Sequence, residues 1–124
     1  MKLQKNIAVG NHRKGGLKLP PEYMQISIDR TNELLGNPFK MLDDTLAERT
    51  RVVEQYRVYL LQQFQQRSSV FLECVKMAQR LEQGHRIGLY CWCAPKACHG
   101  DVLRKAIIYL TTPDGKKRYQ TTKA

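Results

Sequence analysis

The chain has 124 residues, the size of one domain able to bury a single core. With 42% hydrophobic and 26% charged residues it is neither collagen-like nor low-complexity, and no apolar run approaches the ~18 residues of a membrane span. Lys and Arg total 21 against 11 Asp and Glu, a net charge of +10.

That excess sits at the ends. Residues 1–40 carry seven bases and three acids, residues 41–84 six of each, and residues 85–124 eight bases and two acids. The imbalance favours polyanions: nucleic acid (DNA or RNA), nucleotides or an anionic surface. With no membrane-spanning run, no membrane partner is expected. A solvated basic surface without a specific partner is the plain alternative. The start, MKLQKNIAVG, has no apolar segment of the secretory kind, so a cytoplasmic location is expected. Nothing in the sequence sets the oligomeric state.

In chain order, Asn6 to Gly10 is a short apolar run fit for a first strand. The basic stretch His12 to Gly16 and the pair Pro20-Pro21 follow and exclude a helix. Met24 to Asp29 alternates, with Met24, Ile26 and Ile28 on one face, and reads as a second strand. Leu35 to Phe39 is turn chemistry around Gly36, Asn37 and Pro38. Thr45, three residues before Glu48, has the spacing of a capping box. A helix over about 45–66 is predicted, with Leu46, Val53, Tyr56, Leu60 and Phe64 on its apolar face. Ser68-Ser69 opens a second helix that Gly84 ends, and Cys74 falls on its apolar stripe as a core residue. The run from Arg86 to Cys93 suits a buried, parallel strand. Asp101 to Leu110 returns to helical spacing, and Pro113, Asp114 and Gly115 end it.

This order predicts a small single α/β domain over residues 1–110. Its short, mostly parallel, Rossmann-like sheet is flanked by about three helices, and a basic, flexible tail covers 111–124. In such a sheet ligands bind at the carboxyl ends of the strands.

Chemistry concentrates at one junction, Cys91-Trp92-Cys93-Ala94-Pro95-Lys96-Ala97-Cys98-His99-Gly100-Asp101. Here a strand ends and a helix begins. On an extended backbone Cys91 and Cys93 share a face and Trp92 takes the other. The helix N-terminus favours anions and thiolates. Three readings stay open. Cys91, Cys93, Cys98 and His99 form a Cys₃His set for zinc, although C-x-C-x₄-C-H is not the usual spacing. Alternatively, one cysteine is a reactive thiol beside His99 and Lys96. In the third, the cysteines pack, while His99, Gly100, Asp101 and nearby N–H groups hold a ligand. Asp101 also suits a plain helix cap. Arg30, Asn37 and Phe39 form a second group that adjacent parallel strands would bring to the same place, with Arg30 able to bind a phosphate or carboxylate.

Leu35-Gly36-Asn37-Pro38-Phe39 together with Cys91-Trp92-Cys93-Ala94-Pro95 and Cys98-His99-Gly100-Asp101-Val102-Leu103 resembles a domain-of-unknown-function family of bacteriophages and bacteria. That family is marked by a GNPF turn and a CWCAP…CHGDVL signature. The resemblance covers about residues 26–110, including the YRVYL stretch from Tyr56 to Leu60 and Arg30 shortly before the turn. It implies a phage or prophage origin and a shared motif, but no catalytic assignment.

Two functions follow as expectations. The first is an α/β domain that binds or modifies a nucleotide or nucleic-acid component through Cys91, Cys93, Cys98, His99 and Asp101, assisted by Arg30, Asn37, Phe39, Lys96 and Gly100. The second is a non-catalytic nucleic-acid-binding module with structural zinc, in which Lys14, Lys18, Lys116, Lys117, Arg118 and Lys123 contact phosphates.

Overall fold

The computed structural model describes residues 5–29, 31–92 and 98–120. Its elements run β1 (Ile7–Asn11), β2 (Tyr23–Ser27), α1 (Leu46–Gln66), α2 (Ser69–Glu82), β3 (Arg86–Cys91), α3 (His99–Tyr109) and α4 (Pro113–Gln120). The three strands make one sheet in the order β1-β3-β2, with both pairings parallel. The expected small α/β domain is therefore the one observed, with four helices in place of about three.

The central strand explains the sheet. All of β3 after Arg86 is buried, so both of its faces are apolar. Ile87, Leu89 and Cys91 alternate toward the helices and join Ile7, Ile28, Leu103 and Ile107 in the core. On the opposite face Tyr90 lies against Gly10 and Gly88, and its hydroxyl accepts the Leu19 N–H at 2.7 Å. Two glycines are needed there because an added Cβ at Gly10 would come within 2.8 Å of the Tyr90 ring.

The helices begin where the capping residues say they should. Thr45 Oγ1 accepts the Glu48 N–H at 3.2 Å to open α1, and Ser68 Oγ accepts the Phe71 N–H at 3.4 Å to open α2. The left-handed Arg67 (φ 53°) separates the two helices, and Gly84 (φ 95°) turns the chain into β3. The buried stripe of α1 is Arg49, Val52, Tyr56, Leu60 and Phe64. Leu46, expected on it, is 78% exposed, because the first turn of α1 projects beyond the core. Cys74 packs in the core as expected, and burial, then Glu73, pushes its thiol up to about 12.

Two boundaries differ from the sequence reading. Helix α3 starts at His99, two residues before Asp101, because Cys98 acts as its N-cap. Pro113 does not only stop a helix but opens α4, with Thr112 Oγ1 accepting the Gly115 N–H at 3.1 Å. Helix α4 thus covers residues 113–120 of the segment expected as a basic, flexible tail.

Candidate functional site

The strand ends that meet at the carboxyl edge of the sheet shape a cavity of about 320 Å³. Asp29 comes from just past β2, Cys91 and Trp92 from the end of β3, and Cys98 and His99 from the start of α3. The turn before α1 adds Asn37, Phe39 and Met41, and α1 adds Arg49 and Val52. This is the location expected of a ligand site in a parallel sheet.

The thiols are in contact. Cys91 Sγ and Cys98 Sγ lie 3.3 Å apart, far beyond the ~2.05 Å of a disulfide. Cys98 Sγ also accepts the Gly100 N–H at 3.3 Å, while Cys91 Sγ donates to the Gly10 carbonyl at 3.6 Å. The thiol of Cys98 occupies the capping role usually given to a Ser, Thr, Asp or Asn oxygen. Gly100 lies close beneath it, since a Cβ there would meet Ile28 Cδ1 at 2.9 Å and Cys98 Sγ at 3.3 Å.

His99 is buried against the sheet. Its Nε2 lies 2.7 Å from the Ile28 carbonyl, and a carbonyl only accepts, so Nε2 carries the proton. The ring meets Tyr56 edge to face at 4.9 Å, and the Tyr56 hydroxyl donates to the Leu35 carbonyl at 3.2 Å. Burial raises the pKa of that hydroxyl, which stays a neutral donor. His99 thus ties α3 to β2 and, through Tyr56, to the turn that carries Asn37. In that turn Asn37 Oδ1 accepts the Phe39 N–H at 2.8 Å.

Asp101 takes the capping place that its first-turn position also suits, and does not line this cavity. Its Oδ2 accepts the Cys98 N–H at 3.1 Å and completes a capping box with the Cys98 sulfur. It borders a second cavity of about 660 Å³ between α1 and α3, beside Leu60, Phe64 and Tyr109. The carboxylate that lines the first cavity is Asp29. It accepts from the Thr31 hydroxyl, and from the Trp92 indole N–H at 3.0 Å. Chiefly through Thr31, then Trp92, its pKa is held at about 2.

Arg49, Asp29, Trp92 and Met41 join the site without having been singled out for it. Arg49 has the spacing that would have revealed it, since 49, 52, 56 and 60 form one helical stripe. It is buried and paired with Asp44. The His12 ring lies tilted against Trp92 at 5.3 Å, and His12 Nε2 lies 3.0 Å from Ser27 Oγ.

Arg30, Cys93, Lys96 and Lys123 lie outside the described residues. Among the described residues no group of three or more His, Cys, Asp and Glu side chains could hold a metal ion. Lys14 and Lys117 are exposed. Lys18 Nζ donates to the carbonyls of Asn11 (2.6 Å) and Arg13 (2.5 Å) and so closes its own loop. Lys116 pairs with Glu82, and Arg118 lies over the Tyr109 ring. No described helix is long and apolar enough to cross a membrane.

The chain belongs to the family described as the domain of unknown function DUF4326, which matches residues 9–108. The match begins within β1, ahead of the residue near 26 where the motif resemblance starts, so β1 is part of the shared domain. No curated protein matches the chain. No solved structure matches it either.

Proposed function

We propose that the chain binds or modifies a nucleotide or nucleic-acid component in the cavity at the carboxyl end of its sheet, where Cys91, Cys98 and His99 meet. The observation that carries this reading is the cavity itself, which joins Cys91, Cys98 and His99 to Asn37 and Phe39. A volume of about 320 Å³ is at the lower end of small-molecule sites and suits one base or one sugar phosphate. Trp92 and Phe39 offer flat apolar surface to a base. Asp29, ionised at neutral pH, accepts from a ribose hydroxyl or exocyclic amine. Arg49, paired with Asp44, adds a guanidinium to the lining. The net charge of +10 favours encounter with such a ligand.

Thermal unfolding in the presence of nucleosides, nucleotides and sugar phosphates tests the proposal. A true ligand at a hundred times its Kd adds about 2.7 kcal/mol of stability, a clear rise in Tm. Asn37→Ala and Phe39→Ala should weaken that rise. No stabilisation by any of these compounds at millimolar concentration would refute the reading. Oligonucleotide binding that falls steeply with salt, and is untouched by Asn37→Ala, would place the function on the basic ends instead.

A further inference from the structure

We infer that Cys91 and Cys98 are a redox-active dithiol that reduces a small disulfide admitted to the cavity. The inference stands apart from nucleotide binding, because a nucleotide can occupy the cavity with both thiols intact.

Three observations support it. The two sulfurs are 3.3 Å apart, so a bond of ~2.05 Å needs a closing movement of only about 1.2 Å. Both residues line the cavity although each is almost fully buried, so the cavity gives a reagent a route to them. The two thiols are also unequal. Cys98 Sγ accepts the Gly100 N–H at the start of α3, where donors and the helix dipole stabilise a thiolate. Cys91 sits in the central strand, and its S–H points at the Gly10 carbonyl.

The order of events follows from that inequality. The Cys98 thiolate attacks one sulfur of a disulfide RSSR, forming Cys98–S–S–R and releasing RS⁻. Cys91 gives its proton to solvent base, and its thiolate attacks Cys98 Sγ. The second RS⁻ leaves, and a Cys91–Cys98 disulfide remains. Two protein thiols have been oxidised and one disulfide reduced to two thiols. The sulfur that caps α3 is then tied to β3, so oxidation also bears on His99, the next residue along. Cys74, fully buried in the core with its thiol pushed up to about 12, serves as an internal control.

The test equilibrates the reduced full-length chain with mixtures of reduced and oxidised glutathione, traps thiols by alkylation, and maps the peptides by mass. The wild type should lose two hydrogens, with the linkage mapped to Cys91 and Cys98. Cys91→Ser should stop as a single glutathione adduct on Cys98, and Cys98→Ser should react more than about tenfold more slowly. Cys74→Ala should behave as the wild type. A wild type that stays fully reduced in every mixture, or a linkage that maps to Cys93, would overturn the inference. Because the linkage is read in the wild type, a variant that fails to fold does not blunt the result. The same samples can be assayed for nucleotide stabilisation, so failure of one idea is visible separately from failure of the other.

Discussion

Acidification should release Trp92 only at an unusually low pH. Trp92 is the one tryptophan of the chain, and its indole N–H donates to Asp29 at 3.0 Å. The donors from Thr31 and Trp92 bring the Asp29 pKa from an ordinary 3.8 to about 2, against the opposing effect of burial. At pH 3 an ordinary Asp would be roughly 85% protonated, whereas this one would be roughly 10% protonated. The displacement corresponds to roughly 2.5 kcal/mol without screening. Trp92 is 50% exposed and the carboxylate is partly wet, so screening reduces that to about 1 kcal/mol or less. The depressed pKa means that this stability is present above pH 3.8 and is lost as pH falls through about 2. Tryptophan emission should therefore stay native at pH 3 and change with a midpoint near 2, with far-UV circular dichroism run in parallel to separate local release from unfolding. Asp29→Asn should abolish that step and destabilise the fold by about 1 kcal/mol or less at neutral pH. A wild-type midpoint near 3.8, or the same titration in Asp29→Asn, would refute the assignment of the indole to this carboxylate.

Three further outcomes are expected. Tyr56→Phe deletes the buried hydroxyl that donates to Leu35 and should lower stability by about 1–2 kcal/mol in urea unfolding, since the Leu35 carbonyl is left without that donor. Gly115→Ala would place a Cβ 1.9 Å from the Tyr109 carbonyl oxygen, so helical content and Tm should both fall, by about 1–3 kcal/mol or more of stability. Under native conditions at pH 8, a thiol reagent should leave Cys74 unlabelled, because its thiol titrates near 12, and denaturant should expose it.

The sequence made the architecture readable because its signals were local and redundant. A buried apolar run after two capped helices identified β3 as parallel, and Thr45 and Ser68 marked the starts of α1 and α2 by ordinary oxygen caps. Where a rule had an unusual carrier, the reading slipped. A sulfur caps α3, so rules for oxygen caps start that helix at Asp101 instead of His99, and Pro113 reads as a stop although it also suits a first helical position. Asn37, Phe39, Cys91, Cys98 and His99 were brought to one cavity as anticipated. The carboxylate was not, because the direction of a first-turn side chain depends on what it caps, and Asp101 turns back to the Cys98 N–H. Asp29 and Trp92 meet across 63 residues, a separation that periodicity does not encode. Arg49 is buried by tertiary packing, which its charge does not signal although its place on the α1 stripe does.

The strand order has a consequence for how the domain is made. Neither β1 nor β2 pairs with the other; each hydrogen-bonds to β3, with Ile7 opposite Ile87 and Met24 opposite Ile87. On a growing chain the first two strands emerge long before their shared partner, and their edges stay unsatisfied until residues 86–91 leave the ribosome. A fragment truncated after α2 would therefore keep its helical propensity but have no sheet to fold upon. The last third of the polypeptide, which also brings Cys91 and Cys98, is what commits the first third to its structure.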